Sequence, residues 1–161
     1  MPFSMRVFCR ELESPNLSEV VVGLRQNETP VTISGGASAD DLLDSYWTEV
    51  LLSYDEDEVP LRLRCVRADA AGLRALTAEI GDFVDDLEEL PDTPLRALVL
   101  EQLAATRSLL IVELPAEGVS ARGQNTADGL TTMFVERAGG LEQIDGRGFI
   151  DEYGDVILAL G

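Results

Sequence analysis

The fold is decided by residues 61–90, LRLRCVRADAAGLRALTAEIGDFVDDLEEL, in which a strand pattern is followed by a helix pattern. Residues 61–65 alternate between apolar and basic side chains, which is the period of a half-buried strand, and Arg62 and Arg64 share one face. From residue 73 onward, apolar side chains recur at the spacing of a single helix face. They are Leu73, Leu76, Ile80, Phe83, Leu87 and Leu90. The stretch predicts a strand over about 61–67 and an amphipathic helix over 73–90, with Asp69 as the N-cap.

Two further segments next to this stretch have clear patterns. Pro91 and Pro94 end one helix and open the next. The inner face of this second helix is predicted to consist of Leu95, Leu98, Val99, Gln102 and Leu103. The unbroken apolar run Leu109–Val112 is typical of a central strand.

The two ends of the chain add strands and one more helix. Residues 3–9 place apolar side chains at every second position, which predicts a strand. We expect a third helix over 126–138, which Gly139 and Gly140 would stop. The chain closes in a predicted hairpin with strands Phe149–Asp151 and Val156–Leu160.

Two segments fit either a helix or a strand. Residues 17–26 carry apolar side chains at helical spacing, although Val20-Val21-Val22 favours a strand; we expect a helix. Residues 42–54 begin with a helical stripe after a capping box formed by Ser38 and Asp41, and they end in an alternating pattern. We expect a strand over about 48–54, and a short strand at 31–33.

These elements predict an α+β fold. A mostly antiparallel sheet would carry about three to four helices packed on one face. The length of 161 residues fits one domain, 1–161. Residues 115–125, rich in Gly, Ala and polar side chains, are expected to form a mobile loop within it.

The charge balance excludes several function classes. The chain has 30 acidic residues and 12 basic ones, all Arg, with no His and no Lys, so its net charge is -18. Without His and Lys, Ser-His-Asp triads, His-ligated metals, Schiff bases and P-loop lysines are excluded within one chain. The acidity disfavours binding to nucleic acid and to anionic membranes. We expect no cofactor and no metal.

Cysteine usage and the N-terminal residues indicate a reducing compartment. Cys9 and Cys65 lie among apolar residues with no C-x-x-C spacing, so we expect two reduced, half-buried thiols. A bridge between them would require that their strands be neighbours. Residues 1–6 lack the apolar core of a signal peptide, and a cytoplasmic location is expected.

The acidic surface of the predicted helix 73–90 is the main candidate site. Six acidic residues lie on its polar sides or directly after it, and they are Asp82, Asp85, Asp86, Glu88, Glu89 and Asp92. Acidic residues near a helix C-terminus oppose the macrodipole, so local stability does not explain their position. Residues 76–161 also carry 17 acids and 5 Arg, against 13 acids and 7 Arg in residues 1–75.

Two other features of the sequence are candidate sites. Arg62, Arg64 and Arg67 form a basic stripe, for which pairing with neighbouring acids is the main expectation and anion binding the alternative. Trp47 is a core residue in the main interpretation and an aromatic anchor for a partner in the alternative.

Three short segments are interpreted as turns. Residues 55–58, Asp-Glu-Asp-Glu, lack the Gly and the terminal Glu of a calcium loop and are expected to form a solvated hairpin tip. The Gly-rich segments 34–38 and 145–148 match no phosphate-binding template.

Three functions remain open from the sequence. The leading hypothesis is a protein-binding domain, such as an inhibitor or immunity-type protein, whose acidic face binds a basic protein. The second is a structural or self-associating module, a homo-oligomer included, whose charge reflects its environment. The third is a small-molecule binding protein or an enzyme that uses carboxylates.

Overall fold

The computed structural model describes residues 3–160, which form one antiparallel sheet and five helices. The strands are β1 (Phe3–Cys9), β2 (Thr32–Ile33), β3 (Glu49–Ser53), β4 (Leu61–Arg67), β5 (Ser108–Leu114), β6 (Gly140–Ile144), β7 (Gly148–Ile150) and β8 (Val156–Ala159). The helices are α1 (Leu17–Gln26), α2 (Ala39–Leu43), α3 (Leu73–Glu88), α4 (Pro94–Ala104) and α5 (Ala121–Ala138). The strand order is β2-β3-β4-β5-β1-β6-β7-β8. The α+β class is confirmed.

The helices cover both faces of the sheet, which corrects the expectation of one covered face. One core cluster joins α1 and α5 to residues such as Val7 and Leu110, and the other joins α3 and α4 to residues such as Phe8 and Leu109. Successive residues of a strand point to opposite faces, so the apolar run in β5 supplies both clusters. An unbroken apolar strand needs cover on both sides.

The α3–α4 pair follows the predicted pattern with two corrections. Thr93 caps α4 through its side chain and Pro94 occupies the first turn, whereas the N-cap of α3 is Gly72 rather than Asp69. The Asp69 carboxylate accepts a hydrogen bond from the N–H of Gly72 at 2.8 Å, in the turn before the helix. In α4, Val99 and Leu103 are buried, while Leu95 and Leu98 are exposed rather than on the inner face.

Both ambiguous segments are resolved as expected. Residues 17–26 form α1, which is capped by the side chain of Asn16. The capping box of Ser38 and Asp41 is present, and α2 ends at Leu43, so the alternating residues after it are free to form β3. Thr32–Ile33 forms the edge strand β2.

The C-terminal third departs most from the prediction. Helix α5 begins at Ala121 behind an N-cap at Ser120, so residues 121–125 are helical and not part of a loop. Gly139 ends α5 with a left-handed φ of 63°, as a C-terminal glycine does. Strand β6 follows directly and was not predicted, while β7 and β8 confirm the hairpin.

Candidate functional site

The six predicted acidic residues lie together at the C-terminal end of α3 and on the loop that follows it. We call Asp82, Asp85, Asp86, Glu88, Glu89 and Asp92 the acidic face, and all six are exposed. Asp92 contacts Arg96 at 3.4 Å, the i,i+4 pair at the start of α4. Within residues 3–160, the other five carboxylates form no ion pair. Their charge is therefore open to a partner.

Aromatic packing fixes where this end of α3 lies. The ring of Phe83 packs edge-on against Phe8 of β1, with centroids 5.4 Å apart, and against Phe149 of β7 at 5.9 Å. Phe8 and Phe149 are fully buried, so α3 cannot rotate without losing both contacts. The acidic face therefore lies next to the part of the sheet that contains β1 and β7.

An open cleft of about 580 Å³ separates the acidic end of α3 from the ends of the strands. Asp86 and Glu89 form its helical wall, and Ala159 and Leu160 form the wall at the end of β8. This cleft brings together residues that are far apart in the sequence.

The floor of the cleft is a polar network around Arg6. Its Nη1 donates to Asp145 Oδ1 at 2.7 Å and to Gln143 Oε1 at 2.9 Å, and its Nε lies 3.5 Å from Glu79 Oε2. Burial raises the pKa of Asp145, but hydrogen bonds from Gln143, Arg6 and the N–H of Ser4 outweigh it and lower that pKa. Arg6 is already neutralised by two carboxylates, so Asp86 and Glu89 leave the cleft with an excess of negative charge.

The basic stripe divides into two parts. Arg62 pairs with Glu49 at 2.7 Å and with Glu113 at 3.6 Å, and Arg64 pairs with Glu113 at 2.9 Å. The expected pairing with neighbouring acids is thus confirmed for Arg62 and Arg64. The carboxylates of Glu49 and Glu113 already offset the charge of these two arginines, which disfavours anion binding there.

Arg67 does not belong to the stripe, which corrects its assignment. It is 2% exposed and lies on the opposite face of β4, because it is an odd number of residues away from Arg62 and Arg64. Its guanidinium donates to the carbonyls of Leu12, Trp47 and Ser45 and to Ser14 Oγ, at 2.6–3.1 Å. Arg67 is a structural clamp on the segment 12–47 and has no place in an anion site.

Trp47 is a core residue, as the main interpretation expected, and the anchor alternative is wrong. It is 6% exposed, its Nε1–H donates to the carbonyl of Pro15 at 2.8 Å, and its ring packs edge-on against Phe134. The exposed neighbour Tyr46 donates its hydroxyl to Glu13 at 2.9 Å.

Both cysteines are free and buried. Strand β5 separates them, since Cys9 is paired with Ser108 and Cys65 with Leu110, so the neighbouring strands that a bridge requires are not present. Burial raises the pKa of Cys9 to about 12 and that of Cys65 to about 11. Thiols that stay protonated at neutral pH are poor nucleophiles.

Comparison with family models, curated proteins and solved structures finds no match to this chain. The case for a function therefore rests on the geometry. Among residues 3–160, no helix combines the length and the apolar composition that a membrane span requires, and no group of three or more acidic or thiol side chains could hold a metal ion.

A second acidic cleft was not found from the sequence. Glu142 of β6, Asp151 and Glu152 of the β7–β8 turn, and Glu136 of α5 line about 540 Å³ of open space. Burial raises the pKa of Glu142. The four residues come from three separate elements, and only the sheet topology brings them together.

Proposed function

We propose that the protein binds a basic protein through the acidic face, as a binding domain without catalytic chemistry of its own. The observation that carries the proposal is the set of five exposed carboxylates at the end of α3 that have no ion pair within residues 3–160. Charge left unpaired on a rigid helix attracts a complementary surface over long distances.

The position of these carboxylates supports the proposal. Four of them, Asp85, Asp86, Glu88 and Glu89, occupy the last turn and the C-cap of α3, where the macrodipole is unfavourable for negative charge. Arg74 is the only basic residue in the helix, and it lies near the opposite end. The acidic face therefore lowers the stability of the helix, and a partner with positive charge would offset that cost.

The test compares two variants of equal net charge. The helix variant carries D85N, D86N, E88Q and E89Q, and the loop control carries E11Q, E56Q, D57N and E117Q. All eight residues are exposed, and the four control residues lie in loops without ion pairs within the described residues. Each variant removes four negative charges.

A tagged pull-down from the native host at low and high salt identifies the basic partner, and stopped-flow kinetics then measure association. We expect the helix variant to associate about tenfold more slowly than the wild type at low salt, with a small change in the dissociation rate. The loop control should change the association rate much less. Equal association rates for the helix variant and the wild type would refute the proposal.

A further inference from the structure

The end of the sheet next to the acidic face is an open strand edge. Strand β8 is the last strand in the order, and it pairs only with β7 within residues 3–160. The opposite edge strand, β2, has two residues, whereas β8 has four. The side chains of Val156 and Ala159 are exposed, while α4 packs against β8 from one face of the sheet.

The contacts of Gly148 with β8 show which backbone groups of β8 point towards β7. The carbonyl of Leu158 and the N–H of Leu160 face Gly148, and a Cβ on this glycine would lie 2.6 Å from the nitrogen of Leu160. Peptide groups alternate sides along a strand, so the N–H and C=O of Ala159 point away from β7. An incoming strand would meet a free donor and a free acceptor there.

Carboxylates stand at both ends of this edge. Asp86 and Glu89 share a cleft with Ala159 and Leu160 at the C-terminal end of β8. Asp151, Glu152 and Asp155 form the turn at its N-terminal end, where Asp151 Oδ1 accepts hydrogen bonds at 2.9 Å from the N–H groups of Tyr153 and Asp155. The edge is therefore flanked by negative charge in both directions.

We propose that β8 accepts an extended basic segment of the partner as an additional antiparallel or parallel strand, with Lys or Arg side chains reaching the carboxylates at its ends. This inference rests on the proposed function and specifies how the partner is bound. Main-chain hydrogen bonds to Ala159, which lies beyond the bulge in the β7–β8 pairing, would provide affinity, and the flanking carboxylates would select a basic sequence.

Charge disfavours a second copy of this chain as the occupant. Antiparallel pairing of two β8 strands would set the Asp151–Asp155 turn of one copy against Asp86 and Glu89 of the other, at both ends of the interface. Like charges placed directly opposite each other disfavour pairing, and each copy has a net charge of -18. A basic segment meets the same groups with attraction.

The test uses a ten-residue peptide of alternating Arg and Thr, acetylated and amidated, and the same peptide with every backbone nitrogen methylated. Both carry the same charges, but only the first can donate main-chain hydrogen bonds to β8. We follow the backbone amides of the full-length protein by NMR during each titration. The unmodified peptide should shift the amides of residues 156–160 and slow the hydrogen exchange of Ala159, and methylation should weaken binding about tenfold or more.

Two protein variants complete the test. The substitution Ala159→Pro removes the outward N–H, a position where an edge strand tolerates proline, and it should weaken binding of the unmodified peptide by a similar factor. D86N/E89Q should weaken binding of both peptides, while the loop pair E56Q/D57N should change it little. A melting curve shows whether the proline variant is folded, and if it is not, the methylated peptide decides.

Three results would overturn the strand pairing. They are equal binding of the two peptides, shifts confined to residues 82–92, and no shift in residues 156–160 at millimolar peptide. In each case the acidic face is judged separately, by the association rate of the helix variant with the basic partner. If the helix variant and the wild type associate with the partner at equal rates, the proposed function is refuted. If the helix variant still associates more slowly, the acidic face binds the partner without strand addition.

Discussion

Neutralising the acidic end of α3 should stabilise the folded protein while weakening its association with a basic partner. The helix variant removes four carboxylates from the last turn and the C-cap of a helix whose last turn has no basic residue. None of the four has an ion pair within residues 3–160, so no favourable contact is lost with them. Two unfavourable interactions are removed instead.

The first is the interaction of each carboxylate with the negative end of the helix dipole, about 0.3 kcal/mol for an exposed group. The second is repulsion between like charges spaced by three or four residues, about 0.2–0.5 kcal/mol for each pair. Asp85 has such pairs with Asp82, Glu88 and Glu89, and Asp86 has them with Asp82 and Glu89. The sum is about 3 kcal/mol of added unfolding free energy, or roughly 6–12 °C in Tm for a domain of this length.

Urea unfolding and calorimetry at low salt and at 1 M NaCl measure this effect. The stabilisation should be largest at low salt and should shrink as salt screens the charges. The loop control tests whether relief of the overall charge explains the result, since it makes the same change in net charge away from helix C-termini. Equal stabilisation of both variants, or a helix variant no more stable than the wild type, would refute the reasoning.

Three further predictions concern buried groups. Arg67→Lys should lower the unfolding free energy by about 2–5 kcal/mol in urea titrations, because an ammonium cannot satisfy the four acceptors that the guanidinium binds; a loss below about 1 kcal/mol would contradict the clamp. Cys9 and Cys65 should not react with a thiol reagent at pH 8 until urea unfolds the chain, and the stability they contribute, complete below pH 9, should be lost as the pH rises toward 11–12; rapid labelling of the folded protein would contradict this. Burial raises the pKa of Glu142 in the folded protein. The stability that this carboxyl group contributes is therefore present at low pH and is lost as the pH rises through its folded-state pKa. Glu142→Gln should therefore stabilise the protein at pH 7 and have little effect at pH 3, and equal effects at both pH values would contradict the assignment.

Periodicity predicted most of the elements because their apolar residues are arranged by a single requirement. The strand at 61–67 and the helix at 73–88 each place one face on a core, and the pattern of each is readable in isolation. The acidic face could be predicted for the same reason, since fixing the apolar stripe of α3 also fixes its polar side. Arg67 could also have been placed correctly, because its distance from Arg62 and Arg64 puts it on the other side of the strand.

Features that depend on contacts between distant residues were missed. Strand β6 contains Gln143, which is only 3% exposed. Its side chain can be buried because it forms hydrogen bonds with Arg6 and Asp145. This buried polar residue interrupts the apolar pattern of the strand. The first turn of α5 contains Gly123, where a Cβ would lie 2.7 Å from the ring of Tyr54. Close packing against an aromatic ring requires glycine there, although glycine in a sequence favours a loop. Neither contact can be seen in local sequence.

The proposed strand addition at β8 would explain why negative charge is concentrated at the end of α3 rather than spread evenly. An open edge strand is a hazard, since it can pair with other copies of the same chain. Carboxylates at both ends of β8 repel another copy with the same charges, and they attract a strand that carries the opposite ones. Negative charge at the end of α3 is costly for the helix, yet in this position it would both suppress self-association and select a basic partner. A surface that was acidic only for solubility would gain nothing from concentrating that charge beside the longer of the two edge strands in the described part of the sheet.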